Sequence, residues 1–453
     1  MASLPVVAII GRPNTGKSTL FNRLARTRKA IECDIPGTTR DHVSHRMHSE
    51  KVDYLLIDTG GMGTGTDDTA FEEDVFAQSM LAIAHADVIV FLVSSREELT
   101  ADDHKIIDIL RKKRRKHVPV ILVISKADDR SLLDTLQGQY FSLGIAQDII
   151  PVSAVHLHGT DELEATIERT LLSMHFGKSL PEGNAADRTP RIAIVGKPNV
   201  GKSSIVNAMM AEPDRERSPL LVSPIAGTTR DAVDTTIHYQ GKPYVLVDTA
   251  GLKKHARTTR EVEQYATMRT IQAIAECDIA LLVLDGTAPL SQQDKRIAGM
   301  VIEAGKGLIL LVNKSDAMTT AERKKVVEEL PLLMPFCKFA SVLAVSAKTK
   351  TGLLSMFELI EKVQRNRLRR ISTPELRRWF QRVVHGQPMG EIARCKFITQ
   401  ADEIPPTFVL FVKNPSRVGV TQLRFMENRI RETFGFEGTP IRWITKSVER
   451  ETA

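Results

Sequence analysis

The sequence predicts an α/β fold: two similar three-layer α/β/α domains in tandem, followed by a small α+β domain. Three observations carry that reading. A glycine-rich loop of the form GxxxxGK[ST] occurs twice, 185 residues apart (from 11 to 196). Four further motifs follow each loop in the same order. Short apolar runs alternate with helix-length segments in both halves, and a different pattern takes over beyond about residue 365.

The two loops read Gly11, Arg12, Pro13, Asn14, Thr15, Gly16, Lys17, Ser18 and Gly196, Lys197, Pro198, Asn199, Val200, Gly201, Lys202, Ser203. In such a loop successive backbone N–H groups curl around phosphates, the lysine bridges the outer oxygens, and the serine hydroxyl takes one Mg²⁺ position. Gly37, Thr38, Thr39, Arg40, Asp41 recur as Gly227, Thr228, Thr229, Arg230, Asp231. Asp58, Thr59, Gly60, Gly61 recur as Asp248, Thr249, Ala250, Gly251. Ser125, Lys126, Ala127, Asp128 are matched by Asn313, Lys314, Ser315, Asp316, and Ser153, Ala154 by Ser346, Ala347. The offsets run only from 185 (11 to 196) to 193 (153 to 346), so a whole domain is repeated.

Each element follows from local pattern. In the first copy residues 5–10, 54–57, 88–93 and 118–124 are apolar runs, repeated in the second at 191–195, 244–247, 279–284 and 307–312. Runs of this length with helices between them predict a buried parallel sheet. Phosphate would bind at the strand-to-helix turn, on a helix N-terminus. The expected domains are residues 1–172 and 191–364, of ordinary size. Residues 173–190, with Pro181, Glu182, Gly183 and Asn184, lose apolar periodicity and read as a linker that lets one copy rotate against the other. Residues 365–453 read helix, strand, strand, helix, strand. Thr373 is the expected N-cap, with Pro374 in the first turn. A strand is expected at 407–412, a helical stripe of Leu423, Met426, Ile430 and Phe434 ends at Gly435, and a last strand covers 441–445.

Composition narrows the function. Cys33, Cys277, Cys337 and Cys395 lack C-x-x-C spacing, which argues against zinc and a disulfide framework. No charged leader with a long apolar stretch opens the sequence, and no segment reaches the roughly 18 apolar residues of a membrane span. The expectation is a cytoplasmic protein. Residues 365–453 hold 17 Lys or Arg against 9 Asp or Glu, a balance of +8 where the whole chain is +7. That asymmetry points to a polyanion, RNA first, with a solvated arginine-rich surface as the alternative. Arg365, Arg367, Arg369 and Arg370 crowd the start of this region, and residues 111–116 form a weaker basic run.

The motifs also select the base. Asp316 can accept from two donors on the Watson–Crick edge of guanine, and adenine would leave that carboxylate partly unpaired. With this, the chain resembles the TRAFAC GTPases. Its tandem copies and basic tail are similar to the bacterial ribosome-assembly GTPase family Der, also called EngA. The likeness extends to Pro405, Pro406, Thr407, Phe408, Val409, Leu410, Phe411 and to Phe434, Gly435, Phe436, Glu437, Gly438, Thr439, Pro440. It implies two GTPase domains with GTP or GDP and Mg²⁺, and a KH-like C-terminal domain. The expected partner is the large ribosomal subunit with its rRNA, bound by a monomer, with neither DNA nor membrane. A KH domain that clamps RNA uses a GxxG loop between two helices. Here the only such sequence, Gly435 to Gly438, lies between a helix and a strand and contains Glu437, so docking against a GTPase domain is a rival role for the module.

The resemblance assigns roles. Lys17 and Lys202 bridge the β- and γ-phosphates; Ser18 and Ser203 with Thr39 and Thr229 ligate Mg²⁺, and Asp58 and Asp248 hold it through water. Gly61 and Gly251 offer backbone N–H groups to the γ-phosphate. Catalytic duty thus falls on Lys17, Thr39, Gly61, Lys202, Thr229 and Gly251. Met62 and Leu252 stand where Ras-type GTPases carry a catalytic glutamine. Asn14 and Asn199 match a position that helps hold K⁺ in potassium-activated relatives, or else only tolerate the loop conformation. Ser125 departs from the usual asparagine and predicts weaker nucleotide affinity in the first domain. Rival functions are a non-catalytic, nucleotide-gated RNA-binding scaffold and a tRNA-modifying or membrane-associated GTPase.

Overall fold

The computed structural model describes residues 5–25, 44–49, 51–59, 83, 86–114, 118–127, 140–141, 143–156, 158–177, 189–210, 220–224, 234–248, 260–385, 387, 389–395, 397–401 and 404–447. The chain forms two compact units, the first built on one β-sheet, the second on another sheet together with the C-terminal module.

In the first unit the strands β1 (Val6–Ile10), β2 (Ser44–His48), β3 (Asp53–Asp58), β4 (Val88–Ser94), β5 (Val120–Ser125) and β6 (Asp148–Val152) lie in the order β2-β3-β1-β4-β5-β6. Successive side chains of β1 point to opposite faces. Val7 and Ile9 pack with Leu20, Phe21 and Leu24 of α1 (Lys17–Ala25) and with Leu163 and Ile167 of α3 (Thr160–Ser173). Ala8 and Ile10 pack on the other side with Ile106, Ile107 and Leu110 of α2 (Ala101–Lys113). Both faces of β1 are therefore covered, which is why its five residues, all apolar, are all buried.

The second unit repeats the plan with an added edge strand. Its sheet runs β13-β12-β11-β7-β10-β9-β8, built from β7 (Arg191–Val195), β8 (Leu220–Pro224), β9 (Thr235–Tyr239), β10 (Lys242–Leu246), β11 (Ile279–Asp285), β12 (Gly307–Asn313) and β13 (Ser341–Ala344). Ile192 and Ile194 pack against Ile205, Val206 and Met209 of α4 (Lys202–Met210) and against Phe357, Ile360 and Val363 of α8 (Ser355–Arg367). Between these helices in sequence come α5 (Arg260–Glu276), α6 (Gln292–Glu303) and α7 (Thr320–Leu333).

All eight expected strands are present, but neither sheet is purely parallel. β2 pairs antiparallel to β3, β9 to β10, and β8 to β9. The segments that form β2 (SHRMH) and β9 (TTIHY) are too polar to stand out as apolar runs. β2 is an edge strand, which can leave one face to water, so its hydrophobic signal is weak; β9 lies inside its sheet, but Thr235, Thr236 and His238 break its apolar run although four of its five residues are buried. β13 is four residues long and β6 carries Pro151, which hid them likewise.

The C-terminal module has the expected order: α9 (Thr373–Val384), β14 (Phe397–Ala401), β15 (Thr407–Val412), α10 (Val420–Phe434) and β16 (Arg442–Ser447). β15 is central, antiparallel to β14 and parallel to β16. The cap is one residue earlier than expected: Ser372 is the N-cap and its hydroxyl accepts from Glu375 N at 3.4 Å, while Thr373 is the first helical residue. Leu423, Met426 and Ile430 are buried with Trp379, Phe408, Phe436 and Trp443, and Gly435 ends α10 with φ +88°.

This module docks onto the second GTPase-like sheet through its GxxG segment. Gly438 donates its N–H to Phe339 O at 2.6 Å and accepts from Leu308 N at 2.8 Å. Its φ is +76°, and a Cβ there would fall 2.1 Å from Val363 Cγ2, so only glycine fits. The Glu437 carboxylate accepts from Lys362 Nζ at 2.5 Å and Ser341 Oγ at 2.8 Å, while Asn366 Nδ2 donates to its carbonyl at 2.8 Å. The Arg431 guanidinium stacks over the Phe339 ring at 4.7 Å. Arg367 is not available to phosphates: it is 5% exposed and pairs with Asp278 at 3.3 Å. Arg365, Arg369 and Arg370 are exposed. In the weaker basic run, Arg111 and Arg114 donate to Leu143 O and Ile145 O, and residues 115–117 lie outside the described residues.

Candidate nucleotide sites

Each phosphate-binding loop joins the central strand of its sheet to the following helix, β1 to α1 and β7 to α4. The first glycine of each loop passes close to the neighbouring strand. A Cβ on Gly11 would meet Leu92 O at 2.7 Å, and one on Gly196 would meet Val283 O at 2.6 Å. Asn14 and Asn199 adopt left-handed φ of 62° and 64° with exposed side chains, which fits the conformational reading of these residues directly. Pro13 and Pro198 beside them are exposed, whereas Thr15 and Val200 turn inward and are buried.

The loop lysines are folded over their own loops. Lys17 Nζ donates to Arg12 O at 2.7 Å; Lys202 Nζ donates to Gly196 O at 2.8 Å and Lys197 O at 2.6 Å. Burial lowers both ammonium pKa values, Lys202 to about 8, and for Lys17 the nearby Arg12 charge adds to the effect while Asp58 opposes it. Such an ammonium gains most when phosphate oxygens restore the solvation it has lost.

Ser18 Oγ donates to Asp58 Oδ2 at 2.6 Å, with Asp58 1% exposed at the end of β3. A hydroxyl and a carboxylate converging beside a phosphate loop fit Mg²⁺, which takes one or two protein oxygens and leaves its other positions to phosphate and water. Thr59 next to it donates its hydroxyl to Ile9 O at 3.0 Å. The second copy is arranged differently. Asp248 lies two residues beyond β10 with φ +53°, and its N–H reaches Asp234 Oδ1 at 3.3 Å. Ser203 is half-buried at the start of α4. Thr39, Gly60, Gly61, Met62, Asp128, Thr229, Thr249, Ala250, Gly251 and Leu252 lie outside the described residues.

The base motifs show how the two copies diverge. Asn313 ties two loops together: Nδ2 donates to Val200 O at 2.9 Å, and Oδ1 accepts from Ala347 N at 3.2 Å. Ser125 keeps the first tie, donating to Thr15 O at 2.6 Å with Val93 O at 3.0 Å, but has no second arm to send toward Ala154. Lys126 and Lys314 both take left-handed φ, 59° and 64°. Lys314 Nζ is held by Asp285 Oδ2 at 2.5 Å, whereas Lys126 Nζ reaches across to Asn14 O at 2.8 Å because its strand ends in Ser94. Asp316 is exposed, and Ser346 Oγ donates to its Oδ1 at 2.6 Å; that hydrogen bond, first among the causes, holds its pKa down. Ser346 and Ser153 are both fully buried, and Ser315, Ala127 and Ala347 complete the loop floors.

One pair of residues escaped the sequence reading. Arg12 Nε donates to Asp103 Oδ2 at 3.1 Å, and Lys197 Nζ to Asp294 Oδ2 at 2.9 Å. Both aspartates are 2% exposed and close capping boxes on Thr100 and Ser291, at the starts of α2 and α6. The second residue of each phosphate loop is thereby moored to a neighbouring helix N-terminus. The spacing T-x-x-D and S-x-x-D was legible as a cap; its link to a loop about 90 residues earlier was not.

The description "50S ribosome-binding GTPase" belongs to a family profile that matches residues 6–126 and 191–314, and "KH-domain-like of EngA bacterial GTPase enzymes, C-terminal" to one that matches residues 370–446. The chain is 39% identical to "GTPase Der" of Agathobacter rectalis, covering 98% of each sequence. It is 40% identical to "GTPase Der" of Thermomicrobium roseum, over 99% of this chain and 97% of that one, and 40% identical to that of Heliobacterium modesticaldum over 99% of each. A solved structure of Aquifex aeolicus Era bound to GDP.AlF4- matches 61% of this chain and 88% of its own at 22% identity, with a TM-score of 0.28. Two phosphate loops with paired base motifs, a docked KH-like module and full-length identity of this degree together place the chain in the Der family of GTPases.

Proposed function

We propose that this GTPase is a nucleotide-switched factor in ribosome biogenesis that acts on the maturing large subunit in the cytoplasm, as a monomer bound to rRNA. One observation carries the reading. β12 begins beside Leu308, which bonds to Gly438 of the basic module, and ends at Asn313, which ties down the phosphate loop. The nucleotide site and the basic module thus share a strand. The G-domain family description names 50S binding, which supports the choice of subunit. Among the described residues no helix is long and apolar enough to cross a membrane. The domain limits that serve this reading are 1–172, 191–364 and 365–453, joined by a linker at 173–190.

At each site the loop N–H groups and Lys17 or Lys202 would grip the β- and γ-phosphates, and Ser18 with Asp58, or Ser203 with Asp248, would hold Mg²⁺. Mg²⁺, when bound, neutralises charge on the phosphate oxygens. Thr39 and Gly61, and Thr229 and Gly251, would close on the γ-phosphate and release after its loss, which is the switch. Asp128 and Asp316 would select guanine. Because Met62 and Leu252 cannot orient water, K⁺ held beside Asn14 and Asn199 would supply the missing positive charge. Turnover in KCl should exceed that in NaCl; equal rates remove the K⁺ role.

The test of the function is co-sedimentation with purified bacterial ribosomal subunits, comparing a non-hydrolysable GTP analogue with GDP, with and without residues 365–453. Binding to the large subunit with the analogue, lost with the module, is the expected result. Equal binding in both nucleotide states, or none, overturns it.

A further inference from the structure

KH domains that clamp RNA use a GxxG loop between two helices; the GxxG of this module lies between α10 and β16 and is spent on docking. Gly438 is sealed against Val363, and Glu437 is held by Lys362 and Ser341. RNA must therefore meet the module elsewhere, and α9 offers the chemistry. Leu376, Trp379 and Phe380 turn one side of α9 into the core. Its other side presents Arg377, Arg378, Gln381 and Arg382, all exposed. Arg378 and Arg382 stand one helical turn apart, so they face the same way.

Among the described residues these three arginines make neither hydrogen bond nor ion pair. Other arginines of the module are engaged: Arg431 with Glu427 at 2.7 Å, Arg429 with Glu432 at 2.8 Å. The only carboxylate of α9, Glu375, sits in its first turn. Exposed Arg365, Arg369 and Arg370 lead into the helix, which extends the positive surface. No large apolar side chain is exposed along the arginine face, so it lacks the hydrophobic half of a membrane-binding helix. Guanidinium groups bind phosphate through paired donors, and an unpaired set on one rigid helix fits a phosphodiester backbone.

We propose that the outer face of α9, through Arg377, Arg378 and Arg382, is the surface by which the module grips the phosphate backbone of rRNA. The inference rests on the RNA partner proposed above and adds where that partner sits. It predicts that the module reads RNA by its backbone, with the GxxG edge facing the protein.

The test compares the full chain with its R377E/R378E/R382E and R377Q/R378Q/R382Q variants in binding purified large subunits, in the presence of the GTP analogue, across a salt series. A melting curve for each variant checks folding, and the glutamine set keeps side-chain length. The expected result is at least a tenfold loss for the glutamate set, a smaller loss for the glutamine set, and a salt slope reduced by about 2. If the wild type binds and both variants bind as tightly, α9 is not the surface and the ribosomal function stands. If the wild type does not bind at all, the ribosomal function fails and this inference with it. Binding of the wild type to phosphatidylglycerol vesicles in preference to subunits would also overturn it.

Discussion

Replacing Ser125 with asparagine should strengthen nucleotide binding at the first site, and the two copies together set the size of the effect. Asn313 makes two hydrogen bonds, to Val200 O and from Ala347 N, at 2.9 and 3.2 Å. Ser125 keeps the equivalent of the first, to Thr15 O at 2.6 Å, and its other contact is Val93 O on the adjacent strand at 3.0 Å, not the loop at Ala154. Space for the longer side chain exists. A Cβ built on Gly201 would lie 2.2 Å from Asn313 Nδ2, whereas one built on Gly16 meets nothing within 4 Å. The amide of Ser125→Asn would thus enter open room above Gly16 and restore one neutral hydrogen bond between the phosphate loop and the loop at Ala154. Such a bond contributes about 0.5 to 1.5 kcal/mol, which is roughly a two- to twelvefold tighter dissociation constant if it is made only when nucleotide orders both loops. The assay is titration with a fluorescent GDP analogue in a Lys202→Ala background, so that the first site alone reports. An unchanged or weaker affinity in Ser125→Asn would refute the reasoning. The reciprocal Asn313→Ser should weaken the second site by a similar factor.

Asp294→Asn removes the charge that moors Lys197 at 2.9 Å and should cost about 1 to 3 kcal/mol in denaturant unfolding, with looser GDP binding at the second site; unaltered values for both would show the mooring to be inert. The Lys202 ammonium, lowered by burial to about 8 from 10.5, gives a pH signature. Below pH 8 it is charged in folded and unfolded chains alike and the burial penalty is fully present; between 8 and 10.5 the folded chain sheds the proton first, so stability rises over that window. Phosphate favours the ammonium, so second-site affinity should fall above pH 8, by up to about tenfold per pH unit, and a flat profile from pH 7 to 10 would contradict this. Gly438→Ala places a methyl 2.1 Å from Val363 Cγ2 at φ +76° and should unlatch the module, lowering stability by about 1 to 3 kcal/mol and speeding proteolysis between α8 and α9. Resistance equal to the wild type would mean that the latch yields without cost.

Local chemistry made much of the site legible. A glycine-rich loop, a base tetrapeptide and an apolar strand each declare themselves within a few residues, because backbone N–H groups, a carboxylate or a covered strand impose their requirements on neighbours in sequence. β7, β11 and β12 were readable for that reason: every residue of β12 is buried and the run is almost wholly apolar. β2 and β9 were not: β2 is an edge strand of mostly polar residues, and β9, though inside its sheet and largely buried, carries Thr235, Thr236 and His238. The arginines at 365–370 looked alike in sequence, and burial alone separates Arg367, paired with Asp278, from its exposed neighbours.

By itself the sequence determined the duplication, the nucleotide class and the excess of positive charge in the last domain. It also marked Ser125 in place of Asn313, and Ser94 in place of Asp285, as departures that set the copies apart. Only the tertiary structure decided what those residues do to one another. Ser125 meets Thr15 across 110 positions of sequence, and Glu437 meets Ser341 across 96. Such meetings depend on which strands lie side by side and in what register, and no local pattern encodes that. The same limit explains the GxxG segment, whose role as a latch against a GTPase domain follows from the shape of the surface that receives it.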